Sequence, residues 1–330
     1  MTMFEDIVGL PAQLRWGIGR DVPGLPPDRP VVLLGMGGSA MAARIAVLDA
    51  RPRVPVLVHS SYGLPPWAVG HGAAILAVSY SGNTEEVLSG VDEAVDAGLP
   101  VVGVTSGGRL AGRSAAAGFP LVDVPGGMQP RAGVGYQAAA IAAVLCASGH
   151  IADADTDVSE AADVLDGLLD GGDGPAVRAG RELAGLLGDR TAVIYGGYGV
   201  GAAAAYRWKT QINENAKRPA YAGTVPEMNH NELEAWHAVR SGPFGVVSLR
   251  DEYDHPKIGA RLDLMQTVLG GKVAHVGEVL SVGAAPMARF FSLTAVGDVA
   301  SVALAEADGI DPTPVATLET FKTMLAKGTP

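Results

Sequence analysis

Val31-Val32-Leu33-Leu34-Gly35-Met36-Gly37-Gly38-Ser39-Ala40 reads as a short strand running into a glycine turn and then a helix. Four consecutive apolar residues are what a strand covered on both faces presents, as in a parallel sheet with helices on either side. The texture returns at Ala192-Val193-Ile194-Tyr195-Gly196-Gly197-Tyr198-Gly199. One strand–turn–helix unit in each half predicts a duplicated, doubly wound α/β domain.

Around the first unit, Val56–Val58, Ile75–Val78, Val101–Val104 and Leu121–Val124 are further strand candidates, mostly about twenty residues apart, room for a helix between each pair. Asn83-Thr84-Glu85-Glu86 offers a helix cap ahead of the apolar period Val87, Leu88, Val91. Near Ser148–Thr156 the chain turns to Gly, Ala and Asp, which places a boundary near residue 152 and divides it into 1–152 and 153–330. The second part reads as a helical stretch from Val158 to Leu187, a strand Ala192–Tyr195 and a helix from about Gly201 to about Lys217. Strands Val246–Leu249 and Val273–Val276 follow, with helical patterns over 257–269, 286–307 and 313–326.

Composition narrows the function. Of 330 residues, 48% are hydrophobic, enough for two buried cores, and the 45 glycines and 22 prolines are scattered as turns between apolar runs. A net charge of -11 argues against a nucleic-acid partner, and an anionic ligand must be held locally against that field. Cys146 is alone, so no internal disulfide forms, and it reads as a small buried hydrophobe. MTMFEDIVGL lacks the basic start and long apolar stretch of a signal peptide. No run is read as a membrane span, and the expectation is a cytoplasmic protein.

Gly35-Met36-Gly37-Gly38-Ser39-Ala40 fits the loose dinucleotide fingerprint, but the second strand runs into His59-Ser60-Ser61 where that fingerprint expects an acid. A nicotinamide enzyme is therefore disfavoured. Ser79-Tyr80-Ser81-Gly82-Asn83-Thr84 is more informative. It leaves a strand and enters a helix, bringing short hydroxyls and free N–H groups together where an open α/β sheet places its ligands. A phosphomonoester fits that arrangement; the alternative is that Ser and Asn only cap the helix. Gly37, Gly38 and Ser39 in the parallel turn, with Ser79, Ser81 and Thr84, are the candidate phosphate-binding residues.

GMGGSA (35–40) and SYSGNTEE (79–86) resemble the phosphosugar-binding turns of sugar-isomerase (SIS) domains. Pro125-Gly126-Gly127 through Pro130-Arg131 to Gly135-Tyr136, Asn213-Glu214-Asn215-Ala216-Lys217, Pro226–Glu232 and Gly309–Pro314 narrow the likeness. Together they resemble the bifunctional phosphoglucose/phosphomannose isomerases over nearly the whole chain. The resemblance implies two SIS-type domains in tandem, the first binding phosphate and the second carrying the base. It also implies a hexose 6-phosphate substrate, no metal or cofactor, and a homodimer with shared active sites.

Aldose–ketose isomerisation opens the sugar ring and moves one proton between C1 and C2 through an enediolate. One carboxylate can carry that proton, a cation near O1 and O2 stabilises the enediolate, and a histidine suits ring opening. By resemblance Glu214 is the base; its bland alternative is a surface pair with Lys217 at i, i+3. His230 resembles the ring-opening histidine, with Asn229 and Asn231 as neighbours able to fix its tautomer. Arg131 would stabilise the enediolate or guide the phosphate, unless it is a surface arginine at a helix start. Lys322 resembles a lysine assisting at the sugar end, or is a solvated helix lysine. Thr313, Thr317 and Thr320 compete for setting selectivity at C2. Glu227 and Glu232 could be read as metal ligands with His230, but the nearby histidines, His237 and His255, share no ligand spacing with it, so a metal is disfavoured. Rival readings are an isomerase restricted to mannose 6-phosphate or another phosphosugar, and a catalytically silent sugar-phosphate sensor.

Overall fold

The structure is a computed structural model and describes residues 2–48, 52–237 and 243–328. The first part runs α1 (Met3–Val8), α2 (Leu10–Arg15), β1 (Val31–Leu34), α3 (Gly37–Val47), β2 (Val56–His59), β3 (Ala74–Val78), α4 (Glu85–Asp96), β4 (Val101–Thr105), α5 (Gly108–Ala117), β5 (Leu121–Asp123) and α6 (Val134–Ala147). Then come α7 (Ala154–Leu169), α8 (Pro175–Leu187), β6 (Thr191–Gly197), α9 (Val200–Gln211), β7 (Ala220–Val225) and α10 (Glu232–Ala235). The chain closes with β8 (Phe244–Arg250), α11 (Pro256–Leu269), β9 (Ala274–Leu280), α12 (Pro286–Ala307) and α13 (Ala316–Ala326).

Both sheets are parallel throughout, in the orders β2-β1-β3-β4-β5 and β7-β6-β8-β9. Each begins at an inner strand, steps to one side and returns across it. The second sheet repeats the first without a fifth strand. Each therefore has a topological switch point, between β1 and β3 and between β6 and β8, where such folds place ligands. The echo between residues 31–40 and 192–199 is this shared topology.

Side chains alternate as the pleat requires. Val31 and Leu33 enter a core that also holds Ile194 and Val247 of the second sheet, whereas Val32 and Leu34 pack outward with Val87, Leu88 and Val91 of α4. Val193 and Tyr195 face outward onto Leu262 and Met265 of α11. Through the shared core runs α12, with 18 of its 22 residues buried against α7, α8 and α9. A helix apolar around its whole circumference is stable only when surrounded. Trp208 of α9 is fully buried beside it and donates its Nε1–H to Leu293 O at 3.0 Å; truncation to alanine would cost about 3–5 kcal/mol.

Some expectations need correction. By length and composition α12 does pass the test for a membrane span, with a mean hydropathy of 1.4, but 83% of that window is buried inside the protein. It is a core helix. The stretch 158–187 is two helices, because Gly171 (φ 60°) and Gly172 (φ 108°) break it and Pro175 starts the next. Strand β7, unread in the sequence, is the edge strand Ala-Tyr-Ala-Gly-Thr-Val, too short of large apolar residues to stand out.

Candidate active site

The turns after β1 and β3 flank the first switch point. Gly38 must be glycine: a Cβ there would lie 2.8 Å from Pro130 O and 3.1 Å from Arg131 Cα. The first turn is thus pressed against the segment that carries Arg131. Gly82 (φ 66°) lets the second turn pass Gly107, whose carbonyl a Cβ would meet at 1.8 Å.

The hydroxyls of the two turns are not equivalent. Buried Ser39 donates to Gln137 Oε1 (2.6 Å) and accepts from the Tyr80 N–H (3.2 Å), so it ties the turns together. Buried Ser79 shares a 2.8 Å hydrogen bond with Thr84. Exposed Ser81 accepts from the Asn83 N–H at 3.3 Å, which leaves its proton uncommitted. Thr84 stands at the N-cap position of α4, but its hydroxyl bonds Ser79 and not the first turn of the helix.

Beside the first turn, α3 and α9 enclose a cleft of about 240 Å³ whose lining includes Gly37, Gly38, Arg44, Arg131, Gln211 and Glu214. Helix α9 ends there in a π-helical turn, Ile212–Ala216. Such widened turns take side chains off the regular helical register and recur at functional sites. Lys217 closes it in the left-handed region (φ 58°), and Asn213 Nδ2 donates to Arg218 O at 2.8 Å.

Glu214 points at Arg131: Oε2 lies 3.6 Å from Nη1, the two side chains being 29% and 4% exposed. The pair with Lys217 does not form; Lys217 Nζ donates to the main-chain carbonyl of Glu214 and, at 3.2 Å, to Pro312 O. Burial, with the nearby Arg131 charge, pushes the Lys217 amine below its ordinary range. Arg131 is no surface residue. Its Nε donates to Asn215 Oδ1 (2.8 Å), Nη2 to Pro312 O (2.8 Å) and Thr313 O (3.0 Å), and Nη1 to Gln129 Oε1 (3.4 Å). Four of the five guanidinium N–H groups are engaged, leaving one on Nη1 for Glu214 or a ligand. Burial pushes the guanidinium down from its usual range, and the Glu214 charge opposes that. Among the described residues, no three or more His, Cys, Asp or Glu side chains gather as a metal site.

Over 98% of its length the chain is 35% identical to the bifunctional phosphoglucose/phosphomannose isomerase of Caldicellulosiruptor bescii, covering 99% of that protein. It is 33% identical to the enzyme of the same name from Aquifex aeolicus, over 98% of each chain. Residues 176–325 match the family described as bacterial phospho-glucose isomerase C-terminal SIS domain. The chain belongs to the bifunctional phosphoglucose/phosphomannose isomerase family. Its fold is similar to that of tagatose-6-phosphate ketose/aldose isomerase from Escherichia coli, with a TM-score of 0.71 at 14% identity, covering 95% of this chain and 96% of that one.

In this member of the phosphoglucose/phosphomannose isomerase family the remaining candidates lie elsewhere. Neither His230 nor Lys322 lines the cleft. His230 ends a 3-10 turn, Glu227–His230, and is exposed. Its expected polar neighbours are engaged otherwise: Asn229 Oδ1 accepts from Arg261 (3.3 Å), and Asn231 bonds Glu227 (3.3 Å) and the Glu232 N–H (2.7 Å). Lys322 is exposed on α13.

The second glycine turn differs from the first. A Cβ on Gly197 would lie 2.3 Å from Asp254 Oδ2, so the chain's own carboxylate sits against that turn. Burial first, and the Asp251 charge second, push Asp254 up to about 6. Sequence reasoning gave Asn215 and Gln211 no role, although Asn215 stands in the Asn213–Lys217 motif.

Proposed function

We propose that this enzyme interconverts aldose and ketose hexose 6-phosphates, glucose 6-phosphate or mannose 6-phosphate with fructose 6-phosphate, through a metal-free enediolate. The observation that carries the reading is the Glu214–Arg131 pair in the cleft beside the first glycine turn. The phosphate rests on Ser81, Thr84 and the N–H groups of the two turns, with Ser39 and Ser79 holding the turns in place. Glu214 removes the proton from C2 of the open aldose and returns it to C1, while the hydroxyl proton passes from O2 to O1. Negative charge grows on those oxygens, and the uncommitted Nη1 proton of Arg131 is available to meet it. Of Thr313, Thr317 and Thr320, Thr313 is the one whose carbonyl holds Arg131, and it is the proposed neighbour of C2.

Ring opening falls to His230 of the partner subunit in a homodimer, with Lys322 assisting at the sugar. Two observations support a dimer. His230 is exposed and does not line the cleft that holds Glu214 and Arg131 of its own chain. On α13, Leu318 (45% exposed), Phe321 (64%) and Met324 (63%) present apolar surface, which a partner would cover. The working division is a phosphate-binding part, 1–152, and a part bearing the base, 153–330, in a cytoplasmic enzyme. Incubating the purified protein with fructose 6-phosphate and resolving the products tests the reading. Glucose or mannose 6-phosphate is expected; no turnover would leave a silent sugar-phosphate sensor.

A further inference from the structure

Arg131 is held at two points, and both lead to one turn of α12. At the guanidinium, Nε donates to Asn215 Oδ1 at 2.8 Å; Asn215 Nδ2 donates to Ser301 Oγ at 2.8 Å, and Ser301 donates to Asp298 O at 2.6 Å. At the main chain, Arg131 O accepts from Arg207 Nη2 at 3.4 Å, and Arg207 is paired with the Asp298 carboxylate at 2.7 Å. Asn215, Ser301 and Asp298 are all 0% exposed, so water cannot substitute for any of these bonds. Asn215 follows Glu214 directly on the π-helical turn. One short segment therefore carries the carboxylate and also anchors the cation that faces it.

We propose that Asn215 is a positioning residue for the isomerisation, braced by Ser301, which orients the Arg131 guanidinium so that its uncommitted Nη1 proton faces Glu214 and the reacting oxygens. The carboxamide suits this task because it accepts from Arg131 and donates to Ser301 at once. The hydroxyl of Ser301 is fixed in turn by the Asp298 carbonyl. On the π-turn, Glu214 lines the cleft while Asn215 is buried beside Arg131. This inference rests on the proposed isomerase reaction.

The test compares Asn215→Ala, Ser301→Ala and the double variant with the wild type, using fructose 6-phosphate turnover and thermal melting. Asn215→Ala should lower kcat by about a hundredfold, the scale of a misdirected oxyanion donor, with KM within about threefold. Ser301→Ala should lower kcat less, at unchanged KM and with a lowered Tm, because Asn215 Nδ2 loses its buried acceptor. The double variant should be no slower than Asn215→Ala alone, since Ser301 acts only through Asn215. A folded Asn215→Ala with wild-type kcat, a loss confined to KM, or multiplying losses in the double variant would overturn the proposal. Should Asn215→Ala fail to fold, a folded Ser301→Ala decides alone: reduced kcat at wild-type KM supports the proposal, and wild-type kcat overturns it. A wild type without turnover would remove the isomerase reading and this inference with it. Failure of the variants against an active wild type overturns only the inference.

Discussion

Arg131 Nη1 stands 3.6 Å from Glu214 Oε2, and the two residues come from different halves of the chain. Arg131 precedes α6, behind the first sheet, while Glu214 sits on the turn that ends α9. The contact spans the seam between the two duplicated units, beside the turn at Gly37 and Gly38 that sets the cleft. A carboxylate and a cation are thus brought together by tertiary packing alone.

Glu214→Gln should abolish turnover while substrate binding stays largely intact. The amide keeps the shape and a hydrogen bond but takes up no proton, and general-base catalysis is worth about 10²–10⁴-fold. Steady-state kinetics, with binding of a non-reactive hexitol 6-phosphate measured by calorimetry, check this. Activity within about tenfold of wild type would take Glu214 out of the mechanism.

Ser81→Ala and Thr84→Ala should act on KM. Each removes a donor to a charged phosphate, a loss of about 1.5–3 kcal/mol, or roughly ten- to a hundredfold. Ser81 should show the cleaner effect, because its proton is uncommitted whereas Thr84 shares its hydroxyl with Ser79. A flat KM for fructose 6-phosphate in both variants would place the phosphate elsewhere.

Shared sites can be tested by subunit mixing. If Glu214 of one chain works with His230 of the other, Glu214→Gln and His230→Ala complement when unfolded and refolded together. Each mixed dimer then holds one doubly damaged site and one intact site. Random pairing makes about half the dimers mixed, so about a quarter of wild-type activity should return if sites act independently. With mixed dimers confirmed by mass, zero recovery would show that His230 serves its own chain.

Asp254 gives a stability prediction with a definite sign. Its folded pKa is raised from 3.8 to about 6 by burial and by Asp251, against the opposing charges of Arg289 and Arg250. The folded state therefore holds this proton more tightly than the unfolded chain does. That favourable contribution is fully present below about 3.8 and is lost as pH rises through about 6. Asp254→Asn should raise stability at pH 7 by up to about 3 kcal/mol, less where solvent reaches the carboxylate. The gain should shrink toward pH 4. Denaturant unfolding at both pH values checks this, and an equal change at the two would count against the burial argument.

The local patterns were legible in the sequence because they depend on near neighbours. Strand β1 was bounded correctly as Val31–Leu34, and α12 as 286–307, since a mostly apolar run reports burial on all sides. The turns at 35–38 and 79–84 could be read because glycine and short hydroxyls have few other uses at a strand–helix junction. The family's motifs also marked Glu214 and Arg131. Their surroundings could not be read. Spacing suggested a Glu214–Lys217 surface pair, whereas Lys217, left-handed just past the π-turn, donates to the carbonyls of Glu214 and Pro312 while the Glu214 carboxylate faces Arg131. Strand β7 was missed because an edge strand needs little apolar content; its identity comes from pairing with β6. Asn215, Ser301 and Asp298 are ordinary polar residues in any one-dimensional reading. Only the fold buries them together against Arg131, and in the absence of water each must find a partner within the protein. That requirement belongs to the packed interior, and no periodicity of the chain encodes it.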